Sequence, residues 1–99
     1  MTCEFHPEAR REIFEAVAYY DEINLTLGNQ FLQSVENTID RIEQFPEAWA
    51  PLSANSRRCR VSNFPYGVVY QVMEQGIAIV AVMHLHQKPD YWCDRKMER

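Results

Sequence analysis

Ile77-Ala78-Ile79-Val80-Ala81-Val82-Met83 is apolar at every position. A strand wet on one face alternates apolar and polar residues, so a run without alternation reads as a strand inside a sheet with both faces covered. The run is far too short to cross a bilayer, which takes about 20 residues. Before it, Glu74-Gln75-Gly76 reads as a tight turn and Val68 to Met73 as a β-branched and aromatic strand. Asn63-Phe64-Pro65-Tyr66-Gly67 is another turn, Arg58 to Ser62 a short strand, and Ala48 to Ser56, with Pro51 and Asn55, a loop.

What covers the central strand lies in the first half of the chain, where the apolar period changes. Ala9, Ile13, Ala16, Val17 and Tyr20 recur at helical spacing between Pro7 and Asn24. Phe31, Leu32, Val35, Ile39, Ile42 and Phe45 form a second stripe, with Gly28 marking the break before it and Pro46 its end. Met1 to Phe5 is a strand stopped by Pro7, and Asp90 is placed to cap a short last helix. The expected architecture is α+β: an N-terminal strand, then an antiparallel helix hairpin packed on a mostly antiparallel sheet in β-α-α-β-β-β order, then a short C-terminal helix or tail. Ile13, Val17, Phe31, Val35, Ile39, Val80 and Val82 are its expected shared core. A chain of 99 residues makes one domain, residues 1–99, and its 46% hydrophobic and 24% charged residues are ordinary for a globular protein.

Charge is unevenly divided. Residues 1–50 hold ten acids against three bases, −7, while residues 51–99 hold four acids against seven bases, +3. An anionic partner is therefore expected at the second half. Glu4 and His6 stand where a signal peptide would be basic and then apolar, so a cytoplasmic protein is expected. Cys3, Cys59 and Cys93 are odd in number and widely spaced, which argues against a disulfide framework or structural zinc. His84-x-His86, with Cys93 or His6 as third ligand, is the one metal arrangement to weigh, and packing or hydrogen bonding by these side chains is the simpler reading. No cofactor or metal is expected.

The chemistry-bearing residues also cluster in the second half. Arg58 and Arg60 are two apart on a strand, so they share a face and could clamp a phosphate or carboxylate, or form a solvated face. Tyr66 and Tyr70 follow the Phe64-Pro65 turn, where strand packing is the plain reading, most of all for Tyr70. His84 and His86 end the buried strand; a histidine can act as acid or base at neutral pH, or support the following segment by hydrogen bonding. Tyr91 and Trp92 could stack on a base or a partner side chain, or clasp the C-terminus to the sheet.

Taken in order, several pieces of sequence resemble the RelE/ParE superfamily, the small toxins of bacterial type II toxin–antitoxin modules. They are Phe5-His6-Pro7, Tyr19-Tyr20, Phe31, Phe45-Pro46-Glu47, Arg58-Cys59-Arg60, Asn63-Phe64-Pro65-Tyr66, Val68-Val69-Tyr70, His84-Leu85-His86, Pro89-Asp90-Tyr91-Trp92 and Arg95. The resemblance implies a cognate antitoxin with an acidic, partly disordered tail, and a toxin dimer or toxin–antitoxin hetero-oligomer as the assembly. Arg58, Arg60, Tyr66, His86, Lys88, Trp92 and Arg95 are the expected partner contacts. It also implies one of two targets. RelE-like members cut ribosome-bound mRNA by metal-independent acid–base chemistry, for which Arg58, Arg60, His84 and Tyr91 would serve here. ParE-like members poison DNA gyrase. This chain has two lysines, Lys88 and Lys96, and a net charge of −4, whereas docking to RNA favours a densely cationic surface. The ParE-like branch is therefore the expected one, with the mRNA endoribonuclease and an inactive antitoxin-binding relative as alternatives.

Overall fold

The computed structural model describes residues 2–97. Met1, expected in the first strand, and Glu98 and Arg99, counted in the charge balance, lie outside the described residues. The elements are β1 (Thr2–Phe5), α1 (Pro7–Ile23), α2 (Leu27–Gln44), β2 (Ala50–Pro51), β3 (Arg57–Arg60), β4 (Tyr66–Met73) and β5 (Gly76–His84). They form one five-stranded sheet in the order β1-β5-β4-β3-β2, with β1 parallel to β5 and the other neighbours antiparallel. The expected β-α-α-β-β-β order holds, with a two-residue strand, β2, added in the loop. No helix among the described residues is long and apolar enough to cross a membrane.

Local chemistry sets the helix ends. His6 is extended and its Nδ1 accepts the Glu8 N–H at 3.0 Å, while Pro7 opens α1 where no N–H is needed. The break between helices sits at Asn24, whose Oδ1 accepts from both the N–H and the hydroxyl of Thr26 at 2.9 Å. Gly28, expected to mark that break, instead lies within α2. A Cβ there would come within 2.9 Å of the Val17 carbonyl oxygen and closer still to the Asp21 side chain. Its role is to let the two helices approach.

Ala9, Ile13, Ala16 and Tyr20 of α1 join Phe31, Val35 and Ile42 of α2 over Val68, Tyr70, Ile77, Ile79 and Val82 of the sheet. A β-bulge decides which β5 residues reach this core. Val69 pairs with Ala81 and Tyr70 with Ile79, so Val80 is the extra residue. Strict alternation would turn Val82 away from Ile77 and Ile79; the bulge resets the phase and returns it to the helix face. Val80, expected in the shared core, belongs to the opposite face with Val69, Ala81, Met83 and Trp92. Val17 and Ile39 are half-buried at the core's rim.

That second face is closed by the C-terminal segment, which takes the tail form of the expected helix or tail. Residues 89–94 form successive turns, carried by the N–H groups of Tyr91, Cys93 and Arg95 on the carbonyls of Lys88, Asp90 and Trp92. Trp92 is 4% exposed, and the side chains of Tyr91 and Arg95 reach α1. Tertiary anchoring, rather than helix propensity and an Asp90 cap, sets this segment's path.

Candidate functional site

Pro7 ends β1, so the ladder on that side of β5 stops at the bond from His6 N–H to the Ile79 carbonyl, 2.9 Å. Beyond it the Val80 carbonyl and the Val82 N–H point from an open strand edge. Two side chains satisfy them. Glu12 Oε1 accepts the Val82 N–H at 3.0 Å, and Arg95 Nη1 donates to the Val80 carbonyl at 3.1 Å. Arg95 also grips Glu12 bidentately, with 2.9 Å from Nη1 to Oε1 and from Nη2 to Oε2. Tyr91 donates its hydroxyl to Glu12 Oε2 at 2.6 Å, and the Arg95 guanidinium lies 4.9 Å over the Tyr91 ring. The Glu12 and Arg95 side chains are only 11% and 12% exposed. A carboxylate removed from water to this degree needs such a set of donors.

Beside this knot lies a cleft of about 460 Å³, lined by Tyr19, Tyr66, His84, Gln87, Tyr91 and the Glu12–Arg95 pair among others. Leu85 N–H bonds the Pro65 carbonyl, and Asn63 takes a positive φ of 70°, which fastens the turn before β4 to the exit of β5. Tyr66 and His84 are thereby paired across the strands with ring centres 5.2 Å apart. His84 Nδ1 accepts the His86 N–H at 3.1 Å, so the neutral ring carries its proton on Nε2. Gln87 Oε1 accepts the His84 N–H.

The structure divides the residues expected to act together. Arg58 and Arg60 pair with Val69 and Gly67 on the face away from the helices, while Tyr66 and His84 lie at the edge of the helix face. Neither guanidinium of Arg58 or Arg60 has a hydrogen-bond or ion-pair partner among the described residues. Arg57, on the helix side, is engaged with the Trp49 carbonyl at 2.8 Å. Tyr91 and Arg95 are held in the Glu12 knot, His86 and Lys88 are exposed, and Trp92 is the clasp. Tyr70 is fully buried and donates its hydroxyl to the Pro46 carbonyl at 2.5 Å. Among the described residues no three His, Cys, Asp or Glu side chains come together as a metal site requires, and His6 caps α1. Glu12 is not among the site residues expected from the sequence. The signal that could have found it is its phase, since Ala9, Glu12 and Ala16 share the spacing of the apolar stripe.

Buried phenols give the fold an alkaline limit. Burial pushes the Tyr70 hydroxyl up to about 12 and raises Tyr20 and Tyr66 as well. Tyr91 is raised by burial and then by its bond to the Glu12 carboxylate. In the unfolded chain these groups ionise near the ordinary value of about 10. Above that pH the folded state holds more protons than the unfolded state, so stability falls as pH rises through the interval. Alkaline titration should show stability declining from about pH 10, with part of the tyrosinate absorbance appearing only on unfolding. Normal ionisation of all five tyrosines in a protein still folded would contradict this assignment.

A helix hairpin laid on one mostly antiparallel sheet is the architecture that the resemblance to the small type II toxins implies. The solved structure titled "Chromosomal ParDE TA system from P. aeruginosa" superposes with a TM-score of 0.74 at 14% identity, over 85% of this chain and 95% of that one, which shows the shared fold. The family described as ParE toxin of type II toxin-antitoxin system, parDE, matches residues 3–89. Toxin ParE2 of Mycobacterium tuberculosis, in the strains CDC 1551 / Oshkosh and ATCC 25618 / H37Rv, is 34% identical over 90 residues, covering 86% of this chain and 82% of the relative. The chain belongs to the ParE toxin family and is a ParE-type toxin of a type II toxin–antitoxin system.

Proposed function

We propose that the protein arrests bacterial growth from the cytoplasm by poisoning DNA gyrase, as the toxin of a plasmid-stabilising addiction module neutralised by its cognate antitoxin. The observation that carries the choice of target is the separation of Arg58 and Arg60 from His84 by the thickness of the sheet. Cleaving RNA through its 2′-hydroxyl needs a base, an acid and cations converging on one phosphate. Tyr91 is already committed to Glu12. A protein that acts by binding needs no such convergence, and the cleft and the paired arginines then serve as contact surfaces.

Induced expression should stop growth, and co-expression of the neighbouring antitoxin should restore it. Purified toxin should inhibit gyrase supercoiling and leave translated mRNA uncut in toeprinting, and His84→Ala should weaken inhibition without abolishing it. Codon-position cleavage by the wild type, lost in His84→Ala and with gyrase unaffected, would instead identify the nuclease.

The antitoxin's acidic segment is proposed to lie across Arg58 and Arg60, whose guanidiniums are free to form charge-assisted bonds. Reversing both charges, Arg58→Glu with Arg60→Glu, should weaken the complex by about tenfold or more at low salt and less at high salt. Both residues are on the sheet surface, so circular dichroism should be unchanged. Equal affinity for wild type and variant would move the interface elsewhere.

A further inference from the structure

We infer that Glu12 is the positioning residue of the C-terminal segment, standing in for an absent strand at the open edge of β5 and thereby fixing the wall of the cleft that holds Tyr66 and His84. Three observations meet at one carboxylate. The backbone ladder from β1 runs out at Ile79, and the next free donor on that edge, the Val82 N–H, is taken by Glu12 Oε1. The β-bulge leaves Val80 unpaired with β4, and its carbonyl is taken by Arg95, which is itself oriented by both oxygens of Glu12. Residues 89–94 have no helix or strand of their own, so their path depends on where Tyr91, Trp92 and Arg95 are held.

The knot is also shaped for a guanidinium. Its acceptors are the two Glu12 oxygens and the Val80 carbonyl, and the Tyr91 ring lies against the cation. A lysine in place of Arg95 could not span both oxygens and the carbonyl at once. The C-terminal segment is thus a strap whose buckle is on α1, seventy-nine positions away in sequence from Tyr91. Gln87, two residues before the strap, accepts the His84 N–H with its side chain, so the strap also bears on the end of β5.

The test is amide deuterium exchange, read at Val82 against the His6 N–H, the neighbouring rung of the same edge. In Glu12→Gln four donors, the Val82 N–H, two Arg95 nitrogens and the Tyr91 hydroxyl, face an amide that accepts at one atom only. Val82 should exchange on the order of 10- to 100-fold faster while His6 is unchanged, and chymotrypsin should cut after Tyr91 and Trp92. Equal acceleration at both amides, or none at Val82, overturns the assignment. Tyr91→Phe removes one donor from Oε2 and leaves Oε1 on Val82, so cleavage should quicken while Val82 stays protected. Loss of Val82 protection in that variant would mean that the covering segment protects it rather than Glu12, and would overturn the assignment even if Glu12→Gln did not fold. The consequence for toxicity rests on the gyrase reading: folded Glu12→Gln should then lose supercoiling inhibition. Altered exchange with inhibition intact would uphold the positioning role and tell against the cleft as the gyrase contact.

Discussion

Phe31→Ala should remove about 3–5 kcal/mol of stability, the range for emptying a large aromatic site in a core. Phe31 is fully buried, and its ring centre lies 5.4 Å from Tyr20, 5.2 Å from Phe64 and 4.9 Å from Tyr66. The edge-on contacts add to the loss of buried area. These partners come from α1, from the turn before β4 and from β4 itself, so the cavity would open where the hairpin meets the sheet and little could collapse into it. Domains of this size hold about 5–15 kcal/mol in all, so the variant should melt far below the wild type or fail to accumulate. Its neighbour Leu32, 38% exposed on the same helix, is the control: Leu32→Ala should shift the urea midpoint only slightly. Similar shifts for both would mean that the aromatic cluster is not what joins the layers. Because Tyr66 belongs to both the cluster and the cleft, Phe31→Ala should also disturb the Tyr66–His84 pair before the protein unfolds.

The helix phases and the buried strand were legible because burial imposes a period on side chains. Phe31, Val35 and Ile42 must share one side of α2, and Ile77 to Met83 cannot be apolar throughout unless both faces are covered. Features set by one local departure from a period were not. The bulge that turns Val80 away leaves no trace in a run of similar apolar residues. Gly28 has the composition of a helix break, yet its reason is a contact with a residue eleven positions earlier. The site divided in the same way. Arg58 and Arg60 share a face because strand alternation requires it, but that His84 lies across the sheet from them depends on the phase of β4 against its neighbours. Glu12 looks like any acid on an amphipathic helix. What buries it is the early end of β1 at Pro7, which leaves the Val82 N–H without a backbone acceptor, together with a tail long enough to bring Arg95 back to it.

Arg95→Ala should cost about 3–5 kcal/mol, as expected when one partner of a buried ion pair is removed and the other charge is left behind. By contrast, Arg11 bonds Glu8 and Glu15 at 2.6 Å, but all three side chains are about half exposed, so water can replace what Arg11→Ala removes and the effect should be small. Shorter distances at the surface therefore count for less than the 2.9 Å contacts of a pair that is 12% and 11% exposed. The informative comparison is the double variant Glu12→Leu with Arg95→Met. An ordinary buried ion pair can be exchanged for apolar residues at little cost, since desolvation and attraction nearly cancel. Here the pair also satisfies the Val80 carbonyl and the Val82 N–H, and apolar replacements leave both without a partner, together with the Tyr91 hydroxyl. Each buried orphan costs about 1–3 kcal/mol. The double variant should therefore remain well below the wild type in urea unfolding, and the Glu12–Arg95 coupling energy should change when the cycle is repeated in Tyr91→Phe. Full recovery in the double variant would reduce the knot to a simple ion pair and remove the reason for Glu12 to occupy the edge of β5.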